Sequence, residues 1–256
     1  MLKKRLIFTL LYKDNGFYLS RNFRLQRVGG IDWLQNNYKF VSIAQSIDEL
    51  IILDVSRSRR PSRAEFGSAV STVTSHCFMP LALGGAISSV KDAEYCISIG
   101  ADKLVINTAL SDFPELIRDL VAVYGSQCIV ASVDYRIVNG AAVAYSHQGS
   151  RPLGVDFRKY ILEIADLKVG EIYLQSIDRD GTGQGFCREL LPDLFSDLHV
   201  PIILAGGAGN KHHLLEGLQR NGVDAVATAN LFNFIGDGLP LAREFLLNNN
   251  IPLARW

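Results

Sequence analysis

Two glycine pairs are the first residues whose types and spacing point to chemistry. Gly84-Gly85 and Gly206-Gly207 each follow a short apolar run and precede a helix-like segment, and small polar residues end the next runs at Asn107-Thr108 and Ala229-Asn230. Glycine lets backbone N–H groups approach an anion closely, and the start of the following helix favours negative charge. One pair alone predicts a tight turn as readily as a phosphate site. Two pairs with polar neighbours predict two phosphate sites on opposite sides of one mouth, and therefore a doubly phosphorylated ligand.

The segments that must position these glycines alternate between short β-branched runs and helical stretches, which is typical of a parallel sheet with crossover helices. Eight such runs, with no linker between them, predict one α/β domain over residues 1–256, a (βα)8 or TIM barrel. The active site of such a barrel lies at the C-terminal ends of its strands, where both glycine pairs fall. The predicted strands are Arg5–Leu11, Glu49–Asp54, Pro80–Gly84, Lys103–Ile106, Cys128–Asp134, Glu171–Ser176, Pro201–Ala205 and Asp224–Thr228.

An internal repeat divides the chain into half-barrels of about 1–123 and 124–256. The stretch from Pro80 to Ala86 returns from Pro201 to Ala208, and Gly100-Ala101-Asp102 returns as Gly222-Val223-Asp224. Several matches in one register are hard to obtain by chance. Aligning the glycine pairs with each other places Ala86 opposite Ala208.

The balance of charged residues argues against some classes of protein. The formal net charge is zero, with 26 basic and 26 acidic residues, which argues against a nucleic-acid or membrane-surface binder. The basic-then-apolar start predicts a first strand and not a signal peptide, and no apolar stretch is long enough to span a bilayer. We therefore expect a cytoplasmic protein, and nothing in the sequence requires a cofactor or a metal. The cysteines are widely spaced and typical of a reduced protein, at Cys77, Cys96, Cys128 and Cys187.

Two further groups of residues are interpreted as ordinary surface. The basic cluster Arg57, Arg59, Arg60 and Arg63 is typical of a solvated loop. His212-His213 lies near the start of a helix, with no carboxylate or cysteine cluster close by in sequence, and therefore predicts a solvated helix face and not a metal site.

Three stretches resemble the cyclase subunit of imidazole glycerol phosphate synthase: Asn107-Thr108-Ala109, the SIDRDGT segment from Ser176 to Thr182, and Gly206-Gly207-Ala208-Gly209. The similarity runs from Met1 to about Phe234, and SIDRDGT is its most specific part. The resemblance implies that Asp180, Gly181 and Thr182 belong to the phosphate-binding set. It also implies a glutaminase partner at the N-terminal face of the barrel, from which ammonia crosses the core to a phosphorylated small-molecule substrate.

The same resemblance assigns a charged gate for that ammonia at the strand starts. The matching positions are Arg5, Glu49, Lys103 and Glu171. Unpaired charges inside a barrel are costly, so two acids and two bases need a reason to be there. The alternative interpretation is a structural ion-pair ring that closes the barrel floor. Asp102 matches a position near the partner interface.

The cyclase chemistry requires proton transfer by two facing carboxylates, which the resemblance places at the ends of the first and fifth strands. The fifth strand ends in Asp134. The repeat aligns Tyr12 with Tyr135 and therefore places Leu11 opposite Asp134. Leucine cannot exchange a proton, so the acid/base pair is broken. A family lysine after the first strand corresponds to Leu19.

A retained gate with a lost acid predicts a specialised relative. The chain is similar to a glycosyl-amidation branch of the family in its Leu10-Leu11 and in Cys77-Phe78-Met79-Pro80. In that branch the barrel supplies ammonia to a separate amidotransferase, which converts an acetamido sugar to an acetamidino sugar for surface polysaccharide.

Two alternatives stay open. The first is a working cyclase of histidine biosynthesis that uses Asp134 with a substitute acid such as Asp54 or Asp180, or with Lys13. The second is a phosphoribosyl isomerase, a sister barrel with two facing acids and no gate. The gate residues and Leu11 both count against the isomerase.

Overall fold

Eight parallel strands form the barrel in the computed structural model, which describes residues 3–38, 43–56, 63–75, 79–188, 198–230 and 232–254. Cys77, Phe78, Arg57, Arg59 and Arg60 lie outside the described residues. The strands are β1 (Arg5–Lys13), β2 (Gly16–Arg21), β3 (Arg24–Gly29), β4 (Glu49–Asp54), β5 (Leu81–Gly84), β6 (Lys103–Ile106), β7 (Ile129–Val138), β8 (Ala141–Ser146), β9 (Arg151–Pro152), β10 (Glu171–Ser176), β11 (Ile202–Ala205) and β12 (Ala225–Thr228).

The barrel strands pair in the order β1-β4-β5-β6-β7-β10-β11-β12, and β12 pairs back with β1. This closed ring confirms the predicted (βα)8 fold, and the eight barrel strands are the eight predicted from the sequence. The helices of the described residues are α1 (Ile31–Asn37), α2 (Arg63–Thr74), α3 (Val90–Ser98), α4 (Thr108–Asp112), α5 (Pro114–Tyr124), α6 (Phe157–Asp166), α7 (Lys211–Gln219) and α8 (Gly238–Asn248). None of these helices is long and apolar enough to cross a bilayer.

Two separate cores explain why the barrel strands are apolar on both faces. Along β1, Leu6, Phe8 and Leu10 belong to the outer core between the strands and the helices. The residue between the first two, Ile7, belongs to an inner core that fills the barrel. Since successive side chains of a strand point to opposite faces, a strand buried on both sides reads as a nearly continuous apolar run.

Two antiparallel extensions rise from the C-terminal rim, β1-β2-β3 and β7-β8-β9, and neither was predicted from the sequence. Each extension begins at a two-residue turn with positive φ: Asp14-Asn15 (45° and 55°) joins β1 to β2, and Asn139-Gly140 (50° and 80°) joins β7 to β8. Positive φ at both central residues is the type I′ pattern, which Asn and Gly favour. The signal was therefore present in the sequence, as Asp-Asn at 14–15 and as Asn-Gly at 139–140.

The strand register shows how the two halves correspond. In the first half Leu53 pairs with Leu11 on one side and with Gly84 on the other. At the matching place in the second half, Gln175 pairs with Asp134 and with Ala205. Asp102 and Asp224 fix the correspondence, because their carboxylates accept hydrogen bonds from Leu81 N–H and Ile202 N–H in the same way. Counted from these bonds along the paired strands, Leu11 and Asp134 hold equivalent positions, as the repeat predicted.

The same register corrects the alignment of the glycine turns. Since Gly84 corresponds to Ala205, Gly85-Ala86 corresponds to Gly206-Gly207 and not to Gly207-Ala208. The backbone agrees with this, because φ is positive at Gly85 (112°), Ala86 (50°), Gly206 (87°) and Gly207 (107°) but not at Ala208. Matching Ala86 with Ala208 was wrong: Ala86 carries a side chain in a left-handed conformation for which the other half uses glycine.

Candidate active site

A cavity of about 420 Å³ opens at the C-terminal ends of the strands, the end at which barrels place their active sites. Residues of both halves line it. Of the residues predicted from the sequence, the wall includes Gly85, Asn107, Thr108, Asp134, Asp180 and Ala229, together with Leu11. The other predicted phosphate-binding residues are not in this wall: Gly84, Gly181, Thr182, Gly206, Gly207 and Asn230.

Asp134 is the central ionisable group of the cavity. It is almost fully buried, and burial raises the pKa of its carboxyl to about 8; a hydrogen bond from Asn107 opposes this shift and the nearby Asp180 adds to it. The carboxyl is therefore mostly protonated at neutral pH, which suits a general acid. Its equivalent across the barrel is the Leu11 side chain, which has no proton to exchange.

Two other carboxylates share the wall. Burial raises the pKa of Asp54, which ends β4 and accepts a hydrogen bond from the Ser56 backbone N–H at 3.0 Å. Burial also raises the pKa of Asp180. Both are therefore positioned in the cavity and have pKa values displaced toward neutrality, which is what a substitute acid requires.

Asp180 anchors the β2–β3 hairpin. Its carboxylate accepts hydrogen bonds from Ser20 Oγ (2.5 Å), the Phe23 backbone N–H (3.1 Å) and Gln175 Nε2 (3.1 Å). Its backbone carbonyl accepts from Asn22 N–H at 3.0 Å. The β2–β3 hairpin is thereby held across the mouth, and its Phe23 lines the cavity. Leu19 of the same hairpin is partly buried against the outer core.

The glycine turns have a packing reason for their glycines. A Cβ atom on Gly85 would lie 2.2 Å from the carbonyl oxygen of Asp54, and a Cβ atom on Gly206 would lie 2.6 Å from that of Ser176. On Gly207 it would lie 2.1 Å from the carbonyl oxygen of Gly185. Close backbone packing therefore explains these glycines by itself. Of the two turns, only the first contributes to the cavity wall, through Gly85 and Ala86.

At the opposite end of the barrel the four predicted gate residues form a closed ring of ion pairs. Arg5 contacts Glu49 at 2.9 Å and Glu171 at 2.8 Å, while Lys103 contacts Glu49 at 2.6 Å and Glu171 at 3.2 Å. The charges thus alternate around the ring. Glu49 is 1% exposed, and burial raises the pKa of its carboxyl. Its Oε1 atom has no hydrogen-bond partner among the described residues.

Between the ring and the cavity lies the apolar inner core. It comprises Ile7, Ile51, Ala82, Val105, Val130, Tyr173, Ile203, Ala205, Ala225 and Ala227. Two buried hydroxyl groups lie where this core meets the cavity, because Thr9 Oγ1 and the Tyr173 hydroxyl are 3.5 Å apart and both residues line the cavity. This pair was not predicted from the sequence, since an isolated Tyr or Thr in an apolar strand carries no motif.

Asp102 lies on the N-terminal side, exposed, at the turn before β6. Its carboxylate accepts a hydrogen bond from the Leu81 backbone N–H at 2.9 Å. Asp224 in the second half bonds Ile202 N–H at 3.0 Å in the same way. The two halves therefore share a structural use of this aspartate.

The residues that the sequence predicted to lie on the surface make ordinary contacts with neighbouring side chains and backbone. The His212 ring packs against Phe245 at 4.7 Å, and His213 Nδ1 accepts a hydrogen bond from Gly209 N–H at 3.2 Å. Arg63, the one member of the basic cluster that is described, pairs with Asp92. Within the described ranges no group of three or more His, Cys, Asp or Glu side chains is arranged to hold a metal ion.

Comparison with known proteins identifies the family of this chain. The family model described as "Histidine biosynthesis protein" matches residues 37–236. A protein of Parasynechococcus marenigrum named as imidazole glycerol phosphate synthase subunit hisF2 is 45% identical over 257 aligned positions, covering 100% of this chain and 95% of that protein. The imidazole glycerol phosphate synthase subunits HisF of Chlorobaculum parvum and Chlorobaculum tepidum are 36% and 35% identical, each over 98% of both chains. The chain therefore belongs to the HisF family of imidazole glycerol phosphate synthase subunits.

Proposed function

We propose that this barrel conducts ammonia from a glutaminase subunit and has lost, or nearly lost, the cyclase reaction of its family. The observation that carries the proposal is the chemistry of two equivalent positions: Asp134 retains a carboxyl, and Leu11 has none. Acid/base catalysis by a positioned group contributes about 10²–10⁴-fold to a rate. A barrel without one of its two acids is therefore expected to be a poor cyclase.

The ion-pair ring is the proposed entrance. Arg5 and Lys103 are 21% and 18% exposed, so the ring is reached from the N-terminal face. The unpartnered Oε1 of Glu49 offers a buried acceptor to a small donor such as ammonia. The competing structural interpretation is that the ring only closes the barrel floor. The apolar inner core above the ring favours passage of neutral ammonia over the ammonium ion, because burying an unpaired charge is costly.

The cavity is the proposed exit and phosphate-binding region. Gly85, Asn107 and Thr108 would hold one phosphate at the start of the segment that leads into α4. A second phosphate would lie across the mouth near Gly181, Thr182 and the turn at Gly206-Gly207. Asp180, Ala229, Asn230 and Gly84 complete the proposed set.

The proposed partners follow from the same arrangement. A glutaminase would dock at the N-terminal face near Asp102, and a separate amidotransferase would use the delivered ammonia to convert an acetamido sugar to an acetamidino sugar. The sugar reaction rests on the resemblance at Leu10-Leu11 and at residues 77–80. Asp102→Ala should weaken glutaminase docking measured by calorimetry. Asp224→Ala is the matched control, because Asp224 makes the equivalent backbone hydrogen bond in the second half.

Turnover at high ammonium tests the loss of cyclase activity without any glutaminase. The purified chain is supplied with the doubly phosphorylated formimino-ribulosyl substrate of the family, and Leu11→Asp and Leu11→Asn are assayed alongside. We expect no turnover above background in the wild type, and a gain in Leu11→Asp that Leu11→Asn does not share. Wild-type turnover at about 1 s⁻¹ or more, an ordinary enzymatic rate, would contradict the proposal.

One observation favours the second candidate, a working cyclase of histidine biosynthesis. Asp54 and Asp180 both line the cavity and both have a raised pKa. If the wild type does turn over, Asp54→Asn and Asp180→Asn identify the substitute acid, since only its loss should abolish the rate at neutral pH while substrate binding is retained.

A further inference from the structure

Three loops of the second half meet at the glycine turn after β11. They follow β10, β11 and β12 and carry the residues of the second proposed phosphate region. The Gly185 N–H donates to the Gly207 carbonyl oxygen at 2.9 Å. A Cβ atom on Gly209 would lie 2.6 Å from the Cα atom of Gly183, so the loops after β10 and β11 touch through their backbones. The position of the Gly206-Gly207 turn therefore depends on the contacts that hold its neighbours.

The backbone of Gly209 is held at both of its polar groups. Its N–H donates to His213 Nδ1 at 3.2 Å, and its carbonyl oxygen accepts from Asn233 Nδ2 at 2.9 Å. The Asn233 N–H in turn donates to Asn230 Oδ1 at 3.1 Å, which joins the turn to the loop after β12. A Cβ atom on Gly185 would lie 3.3 Å from Cδ2 of the His213 ring. His213 therefore contacts the loops after β10 and β11 at once.

The contacts of His213 suit a neutral imidazole ring. A ring nitrogen accepts a hydrogen bond only when it carries no proton, and both nitrogens of the charged ring are donors. The Nε2 atom lies 3.4 Å from Asn210 Nδ2, and the Oδ1 atom of the same amide accepts from the His212 and His213 backbone N–H groups. Both ring nitrogens thus face N–H groups. A protonated ring would lose its bond to Gly209 and would place N–H against N–H.

Charged residues of the surrounding elements do not supply a partner for a charged ring. They are Asp178, Arg179 and Asp180 in the loop after β10, Lys211 and Glu216 on α7, Asp237 before α8, and Arg243 and Glu244 on α8. In the part of the chain that the structure describes, none of these acids forms an ion pair with His213. Glu216, the nearest of them in sequence, pairs with Arg188 at 3.0 Å and with Arg220 at 3.2 Å.

We propose that His213 is a positioning residue for the second phosphate turn, and that this turn binds phosphate while the His213 ring is neutral and releases it when the ring is protonated. The phosphate itself rests on the proposed function, whereas the dependence on His213 rests on the contacts above. Histidine is the side chain that ordinarily changes charge between pH 5 and pH 8. Because a protein that binds in one state loses affinity as that state becomes rarer, binding at the turn should weaken as the pH falls.

Sulfate is the probe for this dependence, because it keeps the same charge across the range in which histidine titrates. Backbone amide signals in nuclear magnetic resonance spectra of the full chain report binding at each place. Gly207 and Gly209 report the second turn, and Gly85 and Thr108 report the first phosphate region as an internal reference. We expect the Kd at the second turn to rise at least about fivefold from pH 7.5 to pH 5.5.

Two substitutions at position 213 are matched to each other. Asparagine places an oxygen acceptor close to the site of Nδ1 and does not titrate, so His213→Asn should keep the wild-type affinity of pH 7.5 at both pH values. Leucine has no acceptor, so His213→Leu should bind sulfate at the second turn at least about fivefold more weakly at both. His212→Asn, at the neighbouring residue that packs against Phe245, should behave as the wild type. The amide spectrum of each variant shows whether it is folded.

The outcomes separate the inference from the proposed phosphate region. Equal affinity at the two pH values would overturn the role of His213 alone, as would unchanged affinity in His213→Leu. Tighter binding at pH 5.5 would also overturn it, since it would show that the charged ring attracts the anion. If sulfate shifts no amide of the second turn at either pH, the inference falls together with the second phosphate region.

Discussion

Replacing Asp134 with asparagine should change the pH dependence of stability in a way that can be calculated. Burial raises the pKa of this carboxyl to about 8 in the folded protein, against an ordinary value of 3.8. Between these two values the folded state binds one proton more than the unfolded state, so the free energy of unfolding falls as pH rises. The slope is about 1.4 kcal/mol per pH unit. The asparagine side chain has no proton to lose. The free energy of unfolding of Asp134→Asn minus that of the wild type should therefore rise by about 3 kcal/mol from pH 5 to pH 7.

Urea unfolding at pH 5, 6 and 7 measures this difference. The other buried carboxylates are common to both proteins, so their contributions cancel in the comparison. Asp166→Asn, at an exposed position on α6, is the control for an Asp-to-Asn exchange outside the cavity. If the difference between Asp134→Asn and wild type is flat across this range, the carboxyl is hydrated by the cavity and the reasoning from burial is refuted.

Four further substitutions test the backbone and the buried charges. Ala86→Gly should raise the free energy of unfolding by about 0.5–1 kcal/mol, since it relieves a left-handed φ, whereas Ala208→Gly should lower it by a similar amount. Glu49→Gln should cost about 2 kcal/mol in urea unfolding because it removes the acid that bridges two cations; an effect within error would show the ring to be energetically neutral. Arg243→Met should cost about 3–5 kcal/mol, because it deprives the buried Asp48 carboxylate of two hydrogen bonds of 3.0 Å; a loss of stability less than half that size would contradict this reasoning.

The barrel itself could be predicted because its signals are local and repeated. Each barrel strand is a short apolar run, and runs such as Glu49–Asp54 and Glu171–Ser176 match the observed bounds. The hairpins were missed although turn-forming residues, Asp14-Asn15 and Asn139-Gly140, mark both turns. Their strands are only partly buried and lack a clear two-residue alternation. The turn residues were thus a stronger signal for these hairpins than the strand pattern beside them.

Contacts across the barrel could not be derived in this way. The anchoring of the hairpin by Asp180 joins residues about 160 positions apart, Ser20 and Asp180 among them. The meeting of Thr9 with the Tyr173 hydroxyl is of the same kind. Such contacts depend on strand tilt and loop path, and neither leaves a spacing in the sequence. The ring of four charges was found only because a family resemblance named its members.

The misaligned glycine turns show why identity is a poor guide within a duplicated fold. Matching Gly-Gly with Gly-Gly maximises identical residues, but hydrogen-bond register decides which backbone positions are equivalent, and it makes Gly84 equivalent to Ala205. A position that requires positive φ then holds Ala86 in one half and Gly207 in the other. The equivalent positions 11 and 134 also differ between the halves, since Leu11 has an apolar side chain and Asp134 has a carboxyl. Both changes fall on the first half, so the departure from the family chemistry is concentrated on one wall of the cavity. A symmetric ligand would therefore be expected to bind this protein less well than one with two unlike ends.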